Sequence, residues 1–247
     1  MNKTFLSIII IFKKEILSYF STPVAYVFIT IYLVLSGLFT FYLGNFFSVG
    51  QANLNSFFEW HPWLYLLLIP SVSMRLWSEE KRNGTIELLT TLPIKTISLV
   101  IGKFFAAWFF IFVALSLTTP MWLTVNYLGN PDNGIIVAGY LGSLLMAGGY
   151  LSIGSCVSAL TKNQVIAFII SVTICFLFTL SGLPIVLDFF NGWAGQNIID
   201  IISSFSFLSN FYNITRGIVQ INSILYFISL ITFFLTLNTI IINDLED

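Results

Sequence analysis

The feature that most constrains this chain is the recurrence of apolar stretches about 20 residues long, the length a helix needs to cross the hydrocarbon of a bilayer. Six can be read: Val24–Leu43, Trp60–Trp77, Ile97–Val125, Gly134–Leu160, Gln164–Leu187 and Ile221–Ile242. Charged residues make up only 9% of the 247, against roughly a quarter in a soluble domain, so the chain cannot cover a water-facing surface. Pro62 and Pro70 lie in the second stretch and predict a kink there. Trp60, Trp63, Trp77, Trp122 and Tyr127 fall near stretch ends, where amphipathic rings suit the headgroup level. These patterns predict an all-α integral membrane protein, a single transmembrane domain over 1–247 with six spans.

The first residues read differently. Over 2–20, Lys3, Thr4, Ser7, Lys14, Glu15 and Ser18 fall in one helical arc, while Ile8, Ile9, Phe12, Ile16, Tyr19 and Phe20 lie outside it. This predicts an interfacial amphipathic helix on the membrane surface, with Pro23 opening the first span where a missing N–H is harmless. A cleavable leader is not expected, because Lys13-Lys14-Glu15 follows the apolar run where small residues would be needed. Basic residues set the orientation. Nine of the ten, all but Arg216, fall at the N-terminus, around the loop between the second and third spans, or between the fourth and fifth. By the positive-inside rule that side is cytoplasmic, with both termini and the acidic tail (Asp244, Glu246, Asp247) there. Pro184–Gln220 is too interrupted by Gly192, Gly195, Asn197 and Asp200 to span and too apolar for a solvated loop. Short helices re-entering the outer leaflet fit, since irregular backbone is tolerated there when protein covers it.

The inner loop between the second and third spans, 78–94, is the informative one. Seven charged residues crowd between Arg75 and Lys95. The order reads as helix, break, helix: Gly84 supplies the stop, Thr85 is placed to N-cap a short helix, and Glu87 complements its first turn. Leu92-Pro93 closes it, and Ile86, Leu88, Leu89 and Leu92 form an apolar stripe for a partner or the membrane surface. From spacing alone, a solvated turn that helps set topology is an equal reading.

The run Glu-Glu-Lys-x-x-Gly-Thr-Ile-Glu-Leu-Leu-x-Thr-x-Pro-Ile at 79–94 resembles the cytoplasmic loop of ABC-2 type transporter permeases. Within that family the chain is most similar to the gliding-motility, GldF-like branch, through Ser21–Tyr26, Asn53–Phe58, Leu160–Gln164 and Arg216–Val219. The resemblance implies a permease subunit paired as a homo- or heterodimer in a bacterial inner membrane. Two cytoplasmic ATP-binding subunits would hold ATP and Mg and drive export; this chain would carry no cofactor and contact no nucleic acid. It also implies that Glu79, Glu80, Lys81, Gly84, Thr85, Glu87 and Leu88 form the coupling element that sits in a cleft of the ATPase.

The residues themselves offer little catalytic chemistry. Gly102-Lys103 lacks the first Gly (Ile97 stands there) and the Ser or Thr (Phe104) of a phosphate-binding loop. His61 and Glu59 are too few for a metal site, and Cys156 and Cys175 read as small core residues. Lys103 lies one to two turns inside its span, within reach of the cytoplasmic face. The small residues of the fourth span, among them Gly139, Gly142, Gly148 and Gly154, suit close helix packing more than a substrate route. Two alternatives stand beside a permease: a membrane anchor or scaffold without its own route, and an integral membrane enzyme, which would need the clustered acids and histidines this chain lacks.

Overall fold

The computed structural model describes residues 3–91, 93–191, 195–217 and 220–244. Asn2, Leu92, Gly192, Ile218, Val219, Glu246 and Asp247, used in the reading above, lie outside them. Every regular element among the described residues is helical. Among the described residues four helices are long and apolar enough to cross a membrane: Pro23–Leu43, Thr96–Leu128, Asn133–Leu160 and Ile221–Asn243. A fifth joins them if Gln164–Leu180 and Pro184–Phe190, bent by 76°, are taken as one span.

Helix α1 (Lys3–Ser21) packs along α8 (Thr96–Ser116). Gly102 makes the approach possible: a Cβ there would stand 2.8 Å from Ile11. The rings of Tyr19 and Phe110 stack at 5.2 Å further along. Thr22 in extended backbone and Pro23 then open α2 (Pro23–Leu38), which ends in a π-helical turn over Phe39–Leu43. Two short helices follow, α3 (Phe46–Val49) and α4 (Asn55–Glu59).

The second apolar stretch departs from a single span. It divides into α5 (His61–Ser73) and α6 (Arg75–Asn83), with Met74 between them. Pro70 sits inside α5, one turn before this break, and cannot donate the backbone hydrogen bond of a regular helix to the carbonyl four residues earlier. Helix α5 is mostly buried, and α7 (Thr85–Thr90) follows α6 after one residue. The third stretch breaks at Leu117-Thr118, between α8 and α9 (Thr119–Leu128), just before Pro120.

Helix α10 (Asn133–Leu160) is the hub, and its start is capped by Asp132, whose carboxylate accepts from Gly134 N at 2.8 Å. Its small residues are packing surfaces. Gly139 faces Phe58, Gly142 faces Ile214, Gly149 faces Phe207 and Gly154 faces Ser73, each so close that a Cβ would collide. Helix α11 (Gln164–Leu180), capped by Asn163, ends seven residues short of the expected span at Ser181-Gly182-Leu183. Gly182 is needed there because the α14 start, Ser206, presses against it.

The outer segment forms three short helices, α12 (Pro184–Asn191), α13 (Gln196–Ser204) and α14 (Phe207–Thr215). Helix α14 runs antiparallel beside α10: Ile214 meets Gly142, and Phe207, fully buried, meets Gly149 and stacks on Tyr150 at 4.5 Å. At 1.5 Å per residue, Gly149 lies roughly 24 Å from the α10 start, so this segment descends well into the bundle. Helix α15 (Ile221–Asn243) completes it against α10 and α8.

Candidate functional site

The charged loop and the N-terminal helix meet at one end of the bundle. Helix α6 begins at a break, so its first N–H groups have no partner within the helix. A hydroxyl from α10 supplies one: Trp77 N and Ser78 N both donate to Ser158 Oγ at 3.1 Å, and Ser158 Oγ donates to Met74 O at 2.8 Å. This is an N-cap delivered by a different helix. One turn earlier on α10, Ser155 Oγ accepts from Trp77 Nε1 at 3.2 Å and from Asn238 Nδ2 of α15 at 2.7 Å. All four side chains are buried, so α6, α10 and α15 are joined in a dry environment where lost hydrogen bonds are expensive.

Two charged anchors extend the joint. Lys81 Nζ donates to the carbonyl of Ala159, one of the last carbonyls of α10 that its own helix cannot satisfy and a favourable place for a cation. Burial, with Lys162 nearby, lowers the Lys81 pKa. Lys103, only 3% exposed, reaches from α8 to Glu80 Oε1 at 2.7 Å and to Glu15 Oε1 at 3.1 Å. Its ammonium also lies 5.2 Å from the centroid of the Trp77 ring. One cation thus fastens α1, α6 and α8 together. Burial lifts the Glu80 carboxyl above its ordinary range, although Lys103 pulls it down.

The seven residues singled out in the loop divide into two groups. Glu80 and Lys81 face inward as anchors, and Glu79 is half-buried on α6. Gly84, Thr85, Glu87 and Leu88 are exposed, Leu88 at 69%. Gly84 has φ +70°, and its N–H donates to Glu80 O: the left-handed stop that glycine adopts without penalty. Thr85 does not N-cap α7. Gly84 holds the capping position, because only one residue separates the two helices, and Thr85 Oγ1 turns back to Glu80 O at 3.4 Å. Glu87 lies in the first turn of α7 as expected. The apolar stripe is split, with Ile86 buried in the bundle, Leu89 half-buried and Leu88 outward.

Sequence reading missed Lys103, Glu15, Ser155, Ser158 and Asn238 as parts of this site. Signals existed for two kinds of them. A lysine inside an apolar helix needs a counter-charge, and Ser155 and Ser158 lie three apart on one helical face. Which carboxylate, and which backbone amides, required the fold.

The opposite end gathers Asn55, Glu59, Ile135, Tyr212 and Arg216 around a cleft of about 600 Å³. Glu59 precedes the second apolar stretch and Arg216 follows the fifth, so both ends of the bundle group residues as the basic-residue bias divides them.

A family model described as ABC-2 family transporter protein matches residues 64–244. The chain belongs to this family. As an ABC-2 protein it is a multi-pass membrane permease of an ABC transporter, a transporter subunit rather than an enzyme itself, and it partners with ATP-binding subunits. The match begins within α5 and takes in the whole charged loop, Lys103 and the Ser155–Ser158–Asn238 joint; α1 with Glu15 precedes it. No curated protein matches the chain.

Proposed function

We propose that this ABC-2 permease couples ATP hydrolysis by two cytoplasmic ATP-binding subunits to export across a bacterial inner membrane, with α7 and the end of α6 as the coupling element. The supporting observation is the elbow at Gly84. Its outer arm presents Glu87 and Leu88 to a partner, while its inner arm is fastened to α10 through Ser158 and Lys81, to α15 through Ser155, and to α8 through Lys103. A push on α7 would reach three long helices through short, buried contacts rather than a flexible loop. In this reading α5, running into the start of α6, is the second of six spans, and α11 with the bend after it is the fifth. Helix α1 is interfacial, α12–α14 re-enter the outer leaflet, and both termini are cytoplasmic. ATP and Mg belong to the partner. A second permease copy, identical or homologous, completes the assembly; the motifs resembling the GldF-like branch support a gliding-motility type of permease in this reading and fix no cargo.

One observation favours a second reading. The small-residue face of α10 is filled by Phe58, Ser73, Phe207 and Ile214, so it lines no open route within a single chain. Translocation would then run between two copies, or the chain would be a scaffold that recruits the ATPase.

The test is affinity purification from native membranes in mild detergent, followed by mass spectrometry. An ATP-binding subunit in about equal amount is expected with the natural chain and should be lost with Leu88→Asp, while that variant keeps its elution volume. Recovery of the chain alone, or undiminished ATPase recovery with Leu88→Asp, would overturn the coupling assignment.

A further inference from the structure

Beside the Lys103 anchor, α1, α6 and α8 enclose a charged cleft of about 290 Å³ that includes Lys14, Ser18, Arg75 and Glu79. Lys103 is shared by Glu15 and Glu80 at its floor, one cation against two carboxylates, and the charge of Lys14 also acts on Glu80. Lys14, Arg75 and Glu79 are different: among the described residues none of them makes a hydrogen bond or ion pair, and Lys14 and Arg75 are exposed at the rim. The cleft does not stop at the polar rim. Tyr19, Thr22 and Arg75 are shared with an adjoining groove of about 240 Å³ whose remaining wall is almost wholly apolar, including Val27, Phe28, Ile31 and Leu68 of α2 and α5. Val27 and Ile31 are exposed to what would be lipid.

Two cations and a carboxylate without ion pairs on one cleft, and an apolar trough leading away, have the form of one amphiphile. We propose that this double cavity binds a glycerophospholipid of the cytoplasmic leaflet with an aminoethanol headgroup. Lys14 and Arg75 hold its phosphate, Glu79 accepts from its ammonium, and an acyl chain lies in the groove between α2 and α5. Charge complementarity selects this headgroup. The three cations and three carboxylates of the cleft are neutral together, as is a phosphate carrying an ammonium, whereas a glycerol headgroup brings a net negative charge and offers Glu79 only uncharged hydroxyls. Arginine suits phosphate through its planar fork. The leaflet rests on the orientation proposed above; binding itself does not, because it needs neither an ATPase nor a membrane potential.

The experiment is native mass spectrometry of the full chain, stripped of lipid by prolonged detergent exchange. It is then offered, at equal concentration, phosphatidylethanolamine, phosphatidylglycerol with the same chains, or chainless glycerophosphoethanolamine. The natural chain should retain phosphatidylethanolamine at least about threefold over phosphatidylglycerol and hold little of the chainless compound. Loss of a charge-assisted phosphate contact should lower retention of both lipids about fivefold or more in Arg75→Ala. Glu79→Gln should erase the preference while leaving phosphate binding. Val27→Trp, which alters no charge, should block the groove and lower retention of both lipids, which keeps the test decisive if Arg75→Ala misfolds. Equal retention of the two lipids by the natural chain, undiminished retention in Val27→Trp, or chainless compound held as well as lipid would each overturn the proposal. Co-purification of an ATPase would be untouched by any of these results.

Discussion

Replacing Lys103 by methionine isolates the contribution of the buried cation. The side chain keeps its length and its apolar stem, and only the ammonium is lost. In the native chain that ammonium is 2.7 Å from Glu80 and 3.1 Å from Glu15, whose side chains are only 18% and 17% exposed. Removing one partner of such a pair costs about 3–5 kcal/mol, because the charge left behind is desolvated and unmatched. The two carboxylates still border a cleft, so the lower end, about 3 kcal/mol, is expected. For a chain of this size, at about 2–4 °C per kcal/mol, this is a fall of roughly 6–12 °C in the midpoint of thermal unfolding in detergent. The deficit should depend on pH with a definite sign. Burial already raises the Glu80 pKa against the pull of Lys103, and without the cation it acts unopposed. Folded Glu80 then holds its proton at pH values where unfolded Glu80 has lost it. Stability therefore rises as pH falls through that window, and the deficit at pH 8 should shrink towards pH 5. Adding Glu15→Gln and Glu80→Gln to Lys103→Met removes the stranded charges and should recover much of the loss. An unchanged midpoint in Lys103→Met, or no recovery in the neutral triple variant, would show that the cluster does not fasten α1 and α6 to α8.

Ser158→Ala leaves the buried amides of Trp77 and Ser78 without their acceptor, a cost of about 1–3 kcal/mol; hydrogen exchange of a peptide covering α6 should accelerate about tenfold, with α8 unaffected. Gly154→Leu drives a side chain into Ser73 and should destabilise by about 1–3 kcal/mol in the same melting assay. Gly37→Ala is its control, since a Cβ there meets nothing within 4 Å and the helix should be unchanged or firmer by up to about 1 kcal/mol. Single cysteines at Asn130, Asn197 and Asn83 all fall on exposed backbone. An impermeant thiol reagent applied from outside should label the first two and spare the third, and the reverse pattern would invert the orientation.

The sequence by itself determined the class of this protein and some of the points where its helices open and close. Apolar runs with few charges must be helical in a bilayer, where each backbone group has to be satisfied within its own segment. Local chemistry then marks some boundaries: Pro23 opens a helix in the structure where the sequence places it, and Gly84 stops one with φ +70°. The charged loop between Arg75 and Lys95 also stood out unaided, because seven charges in so apolar a chain require a wet location. The division of labour inside that loop was not legible. Glu79, Glu80 and Lys81 are neighbours of similar polarity, yet Glu80 turns to a lysine on α8 and Lys81 to a carbonyl on α10, while Glu79 finds neither. The same holds for the bends: Gln164–Leu187 is apolar enough to continue, but it breaks at Gly182 because α14 returns against it. Periodicity and capping are properties of neighbours along the chain and can be read there. Partner choice among buried polar groups depends on which helices cross, and only the tertiary structure decides that.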